Sequence, residues 1–174
     1  MYYFIMRQIG FINLENVSED EAKGYKKRQA ARAIVFDNEG KIALLHATKN
    51  FYYKLPGGGI EENETIEEAL KRACLEEIGC NVEVVGELGF TLEYRKKYNL
   101  SQISHCYIAK LVGKKGTPKL EKDEIEEGFE TTWFSLNEAL EMVKNSKPTI
   151  YEGPYMVTRD TLLLEAALQN NLKI

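Results

Sequence analysis

Apolar residues return along this chain with two different periods. After Thr65, the residues Ile66, Ala69, Leu70, Ala73 and Cys74 recur every three or four positions up to Gly79, which predicts an amphipathic helix closed by a glycine stop. Elsewhere short β-favouring runs predict strands at Ala30–Phe36, Lys41–Ala47, Asn81–Val85, Leu88–Tyr94, Gln102–Leu111 and Glu130–Phe134. The first two are joined by Asp37-Asn38-Glu39-Gly40, a hairpin signal. Two helices are expected near the end, at Leu136–Lys144 and Arg159–Leu168. Ser18-Glu19-Asp20-Glu21 has the form of a capping box and predicts a short helix ending near Arg28, while Met1–Met6 predicts a short strand. Between the aromatic loop Phe51-Tyr52-Tyr53 and the Thr65 helix stands Leu55-Pro56-Gly57-Gly58-Gly59, which neither a helix nor a central strand tolerates. Strands flanked and separated by helices predict a mixed α/β (α+β) sandwich, not a doubly wound parallel sheet.

Size and composition narrow the class. The 174 residues contain no repeat and no Pro/Gly/Ser-rich linker, so 1–174 is expected to be a single domain. With 44% apolar and 29% charged residues, neither disorder nor a membrane protein is suggested. No apolar run reaches the roughly 18–20 residues of a spanning helix. The opening Met1–Met6 lacks the basic start and cleavage site of a signal peptide. Cys74, Cys80 and Cys106 are odd in number and lack paired spacing, and are read as core-filling thiols in a reducing cytoplasm. The net charge of −4, with basic residues scattered among acids, argues against a broad surface for duplex nucleic acid. Lys26-Lys27-Arg28 is the local exception, read as a solvated helix end. A cytoplasmic monomer or homodimer acting on a small molecule, with no membrane partner, is expected.

The chemistry concentrates where the glycine loop feeds the Thr65 helix. Glycines let the backbone approach a ligand and adopt positive φ, and a helix start offers free N–H groups to anions. At 100° per residue Arg72, Glu76 and Glu77 lie within about 140° of one another, with Glu64 at the helix entry pointing toward Arg72. Converging carboxylates repel unless a cation separates them, and hard oxygen donors favour magnesium or manganese over zinc. Glu61, Glu62, Glu67 and Glu68 are read instead as a solvated acidic helix entry that suits the helix dipole.

Gly58, Glu64, Arg72, Cys74, Glu76, Glu77 and Gly79 fall on the pattern G-x5-E-x7-R-E-U-x-E-E-x-G-U, with U a bulky apolar residue, so residues 58–80 resemble the Nudix box. The strands around it extend the resemblance over residues 28–145. It implies a Nudix-type α/β/α sandwich with a mixed sheet, preceded by a short extension 1–27 and followed by the helix at about 159–168. By the same resemblance Glu76, Glu77 and the Gly57 carbonyl hold Mg2+, with Mn2+ as the alternative. Arg72 orients a carboxylate, Glu64 steadies the loop, and an acid from a later loop completes the set. Glu127 is the candidate for that acid, with Glu124 and Glu126 beside it. Gly58, Gly59, Tyr53 and His46 are candidate substrate contacts, and Tyr151–Tyr155 with Arg159-Asp160 is expected to border the pocket.

One position departs from the pattern. Where the family has glutamate after the arginine, this chain has Ala73. A glutamate there would stack over Glu76 and Glu77, and the family ties it to metal binding and to activating the attacking water. Its absence predicts weak hydrolysis, since even an indirect metal partner is worth about 10–100-fold and a general base about 10²–10⁴-fold. Two origins fit: a naturally impaired member, or a substitution made to hold an uncleaved ligand, which the otherwise intact box favours. The resemblance implies a MutT-like hydrolase of a nucleoside diphosphate-linked substrate. The expected reaction converts a nucleoside triphosphate, with 8-oxo-dGTP as a named candidate, to monophosphate and pyrophosphate. No proline stands about fifteen residues past the box, as in ADP-ribose pyrophosphatases. Tyr98 stands about where dinucleoside polyphosphate hydrolases keep a tyrosine. A dinucleoside polyphosphate or nucleotide-sugar hydrolase, and a non-catalytic nucleotide-binding module, are the alternatives.

Overall fold

Strand β2 (Lys26–Phe36) sorts the molecule into layers, because successive side chains of a strand face opposite sides of the sheet. Ala31, Ala33 and Val35 are buried against Leu70, Cys74 and Ile78 of helix α2 (Ile66–Ile78). Ile34 and Phe36 are buried on the other side, with Ala139 and Val143 of α4 (Leu136–Lys144) and Leu163 and Leu164 of α5 (Gly153–Gln169). The sheet therefore lies between helices, as an α/β/α sandwich. This computed structural model describes residues 7–170, so the strand expected at Met1–Met6 lies outside the described residues.

Among the described residues the sheet has seven strands. Their order is β1 (Gln8–Ile12), β5 (Asn81–Arg95), β6 (Leu100–Val112), β2, β3 (Ile42–Ala47) and β4 (Tyr52–Lys54), and β7 (Phe129–Phe134) also pairs β3. β1 with β5 and β2 with β6 are parallel, while the remaining pairs are antiparallel, which gives the mixed sheet.

Several elements differ from expectation. The capping box at Ser18 does open a helix, α1, but it spans only Glu19–Ala22. Lys26-Lys27-Arg28 is the start of β2, paired with Leu100–Gln102, and not a helix end. Asn81–Val85 and Leu88–Tyr94 form one strand, because register shifts at Val84/Gly86 and Glu87/Gly89 absorb the polar and glycine residues between them. Tyr52 and Tyr53 belong to β4, not to a loop, as an antiparallel partner of Leu45–Ala47. A further short helix, α3 (Lys122–Glu126), precedes β7, and α5 begins six residues before Arg159 with Pro154 in its first turn. The three cysteines are buried and free. Among the described residues no helix is long and apolar enough to cross a membrane.

Helix α5 ties the back of the sandwich to the glycine loop. Arg159 and Asp160 are fully buried, and the guanidinium donates to both Asp160 oxygens, Nε to Oδ1 at 2.7 Å and Nη2 to Oδ2 at 3.1 Å. Asp160 Oδ2 also accepts the Leu55 N–H at 2.8 Å, fixing the backbone just before Pro56. Asp160→Asn removes the counter-charge of a buried guanidinium, so urea unfolding should show a loss of about 3–5 kcal/mol.

Candidate active site

The loop lies flush against β2. Ala33 N donates to Pro56 O at 3.0 Å, Ala31 N to Gly58 O at 2.9 Å, and Ile60 N to Gln29 O at 3.1 Å, so residues 56–60 run as a ragged edge beside the strand. Gly57 permits this approach: its φ is +144°, and a Cβ there would stand 2.1 Å from the Ala31 carbonyl oxygen. Helix α2 then starts on a capping box, in which Glu68 N donates to Thr65 Oγ1 at 3.2 Å and Thr65 N donates to the Glu68 carboxylate at 2.8 Å. It stops at Gly79 in the left-handed conformation. Glu61, Glu62, Glu67 and Glu68 are exposed, as the acidic-entry reading expects.

Arg72 joins loop to helix. Its Nε and Nη2 grip the two oxygens of Glu64 at 2.7 and 2.9 Å, Nη2 donates to Gly59 O at 3.0 Å, and Nη1 reaches Glu76 Oε2 at 3.4 Å. The hydrogen-bonded guanidinium lowers the Glu64 carboxyl from 4.5 to about 2. Because the folded value lies below the unfolded one, this stabilisation is complete above about pH 4.5 and fades as pH falls toward 2. Glu64→Gln should cost about 1–3 kcal/mol at neutral pH and flatten that acid limb, as read by urea unfolding at a series of pH values.

Glu77 is buried, its Oε2 accepting the Gly57 N–H at 2.6 Å and its Oε1 facing Lys54 Nζ at 3.2 Å. Glu76 and Glu77 line a cleft of about 450 Å³ with Gly57, Gly58, Gly59, Ala73, Lys54, Arg28, Arg32 and Glu124. That volume lies within the usual range for small-ligand sites, roughly 300–1,000 Å³. Burial first, then the charge of Glu77, pushes the Glu124 carboxyl up to about 6, while a hydrogen bond from the Glu121 N–H opposes the rise. Glu127, expected to complete the acidic set, turns away: its Oε2 accepts the Tyr52 hydroxyl at 2.9 Å and Asn50 Nδ2 at 3.2 Å. Glu124 is the acid that α3 places on the cleft.

Ala73 is buried beneath the loop, 3.9 Å from where a Gly58 Cβ would stand. Among the described residues no three His, Cys, Asp or Glu side chains come together closely enough to hold a metal ion. The carboxylates that line the cleft, Glu61, Glu76, Glu77, Glu121 and Glu124, are all hard oxygen donors, the kind that suits magnesium or manganese.

Tyr53 and His46 are not brought to this cleft. Their rings stack on one another at 4.1 Å and line a separate cavity with Phe51 and Met142. Strand alternation explains it: Tyr52 and Lys54 face a cavity beside the cleft, so Tyr53 faces away. Of the tail residues expected at the pocket, Arg159 and Asp160 are fully buried and paired with each other, and only Glu152, beside Ile150 and Met156, borders that adjoining cavity. Tyr98 lies outside it, donating its hydroxyl hydrogen to Glu152 and meeting Tyr151 edge-on. Sequence reasoning missed Lys54 and Arg32. A lone arginine inside the apolar run Ala30–Phe36 was the available signal.

The wider similarities agree with this geometry. The NUDIX domain model matches residues 26–153, well over half of the chain. An RNA pyrophosphohydrolase of Sulfurovum sp. (strain NBC37-1) is 34% identical over 107 residues, covering 57% of this chain and 68% of the relative. The diphosphoinositol polyphosphate phosphohydrolase 2 of Rattus norvegicus is 26% identical over 131 residues, covering 74% of this chain and 68% of the relative. Among solved structures, a MutT protein from Methanosarcina mazei Go1 shares the fold at a TM-score of 0.61 and 16% identity, covering 86% of this chain and 99% of that one. The chain thus belongs to the NUDIX family, as a pyrophosphohydrolase domain that acts on phosphoanhydride bonds.

Proposed function

We propose that this chain binds the 5′-triphosphate of a nucleotide in the Gly57–Glu77 cleft with magnesium and converts it slowly to monophosphate and pyrophosphate, its rate limited by Ala73. The observation that carries this reading is one cleft shared by carboxylates Glu76, Glu77 and Glu124 and cations Arg28, Arg32 and Lys54. Carboxylates hold a hard metal, and the cations meet phosphate oxygens that the metal leaves free. Similarity to an RNA pyrophosphohydrolase supports a nucleotide polyphosphate as substrate. Glu76, Glu77 and the Gly57 carbonyl would hold the ion, with Glu124 across the cleft, and when bound it would offset phosphate charge and acidify an attacking water.

The protein's own part is positioning. Arg72 fixes Glu64, Gly59 and Glu76 in one frame, so the loop backbone and the helix acids keep a set distance. Lys54 neutralises Glu77 when the cleft is empty, and its release onto phosphate would free Glu77 Oε1. A hydrolysis screen of the Ala73→Glu protein, read by chromatography of the nucleotide products and by pyrophosphate, tests the reading across nucleoside triphosphates including 8-oxo-dGTP, dinucleoside polyphosphates, nucleotide sugars, and triphosphorylated and capped RNA. Turnover of triphosphates above the other classes is expected. Preference for dinucleoside polyphosphates or nucleotide sugars would overturn it.

A second reading, a nucleotide-binding module without turnover, is favoured by the closed Lys54–Glu77 pair combined with Ala73. Tight magnesium-nucleotide binding with no hydrolysis even after glutamate is restored would support the module.

A further inference from the structure

The segment between β1 and α1 holds a turn more firmly built than a connection needs. Asn13 Oδ1 accepts the Val17 N–H and Asn13 Nδ2 donates to the Val17 carbonyl, both at 2.8 Å. Asn16 takes the left-handed conformation at a φ of +52°, which asparagine tolerates better than most residues. Val17 is buried with Ala22 and Tyr25 against Tyr94. Between these fixed points stands Glu15, on the exposed tip of the turn. It lies ahead of residues 26–153, the part that the NUDIX model matches.

One oxygen of Glu15 gathers donors from two distant parts of the chain. Its Oε2 accepts the Tyr151 hydroxyl at 2.5 Å, the Tyr155 hydroxyl at 2.6 Å and the Lys96 N–H at 3.0 Å. These bonds, that from Tyr151 foremost, hold the Glu15 carboxyl below the usual carboxylate range, so it is ionised at neutral pH. The Tyr151 hydroxyl also accepts the Lys97 N–H at 3.1 Å, and Tyr98 donates to Glu152. Glu15 thus clasps the 3₁₀ turn Lys96–Tyr98, which joins β5 to β6, against the start of α5. Two residues next to the clasp, Arg95 and Glu152, line the cavity of about 380 Å³ beside the hydrolytic cleft, and the Arg95 guanidinium lies 5.6 Å from the centre of the Tyr155 ring. Cleft and cavity share Arg28, Arg32, Lys54 and Glu124 in their linings, so a ligand with its phosphates in the cleft has this cavity beside it for its other half. Glu15 lines neither space and acts on them only through the clasp.

We infer that Glu15 is a positioning residue for the substrate. By holding the Lys96–Tyr98 turn on α5 it sets Arg95 and Glu152, the wall against which the nucleoside half of the substrate rests, so the stretch ahead of the matched domain takes part in substrate choice. Rigid support behind contacting side chains is what keeps a site within the fraction of an ångström that binding and orientation demand. The inference rests on the nucleotide-hydrolase reading for its ligand, but its test does not require turnover.

The test is calorimetry on the full chain in magnesium, with inorganic pyrophosphate, a non-hydrolysable nucleoside triphosphate, diadenosine tetraphosphate and UDP-glucose. Pyrophosphate reports on the cleft alone, whereas the other three also carry a nucleoside. Glu15→Ala should weaken the best-bound nucleotide by about tenfold while pyrophosphate binds as before, a split that a general loss of fold stability would not produce. Glu15→Gln keeps an acceptor oxygen and should recover most of that loss, though not all, since a neutral acceptor bonds less strongly than a carboxylate. Tyr151→Phe and Tyr155→Phe each remove one arm of the clasp and keep the ring; they should show the same split, and they decide the matter if Glu15→Ala does not fold. Unchanged nucleotide affinity in these variants, an equal loss for pyrophosphate, no recovery with Glu15→Gln, or no nucleotide bound by the unsubstituted chain would overturn the role. Tightest binding of diadenosine tetraphosphate or UDP-glucose would count against the triphosphate reading, yet the split between nucleotide and pyrophosphate would still establish Glu15.

Discussion

Replacing Ala73 with glutamate is expected to raise pyrophosphate release from a nucleoside triphosphate by about 10²–10⁴-fold, the range a positioned acid-base group supplies. The position sits on α2 three and four residues ahead of Glu76 and Glu77, on the face that lines the cleft. A longer side chain there would extend toward the cleft that Ala73 lines and bring a third carboxylate to the two already present. The same change should reduce stability in the metal-free protein, because Ala73 is nearly fully buried and enlarging a packed site costs about 1–3 kcal/mol. Adding magnesium should return part of that loss, since a ligand of the folded state alone stabilises it. Pyrophosphate release and thermal unfolding, each with and without magnesium, check both signs. Turnover equal to that of the unsubstituted chain would refute the role given to this position.

Gly57→Ala should be the most damaging single methyl in the protein's active-site loop. The added carbon would meet Ala31 O at 2.1 Å and the Arg32 Cα at 2.9 Å, both backbone, at a φ of +144° that side-chain-bearing residues rarely adopt. Backbone cannot swing aside as a flexible side chain can, so the loop must leave β2. It then loses the Gly57 N–H bond to Glu77, leaving that buried carboxylate facing Lys54 alone. A loss of about 3 kcal/mol or more is expected, combining backbone strain with a broken charge-assisted bond. Gly58→Ala is the contrast, because its new methyl would meet only the Ala73 Cβ, at an ordinary 3.9 Å. Urea unfolding of the two variants should separate them clearly, and similar stabilities would contradict the close approach drawn for Gly57.

What could be read from the sequence was local and periodic. The α2 helix announces itself by spacing from Ile66 to Cys74 and by Gly79, and the structure caps it at Thr65 and Gly79. Glu64, just ahead of the Thr65 cap, and Arg72, about two turns further on, meet because the long guanidinium reaches back to the helix entry. Signals that depend on a distant partner were harder. Lys26-Lys27-Arg28 looks like a solvated helix end until β6 supplies a parallel neighbour, and β4 is too short to show a period. Glu124 and Glu127 are indistinguishable in sequence, and only the turn of α3 sends one toward Glu77 and the other toward Tyr52. The buried arginines were hidden for a similar reason. Arg95 and Arg159 lie far apart in the chain, and nothing local to either says that α5 will cover both; Arg95 ends within 5.6 Å of the Tyr155 ring on that helix.

The central claim is that the loop and helix form a divalent-metal site for diphosphate in which residue 73 is the missing ligand or base. The most direct test is a manganese titration of the chain and of Ala73→Glu side by side, followed by electron paramagnetic resonance in the presence of pyrophosphate. Manganese bound about tenfold or more tightly by Ala73→Glu is the predicted result. Equal affinity in the two proteins would contradict it.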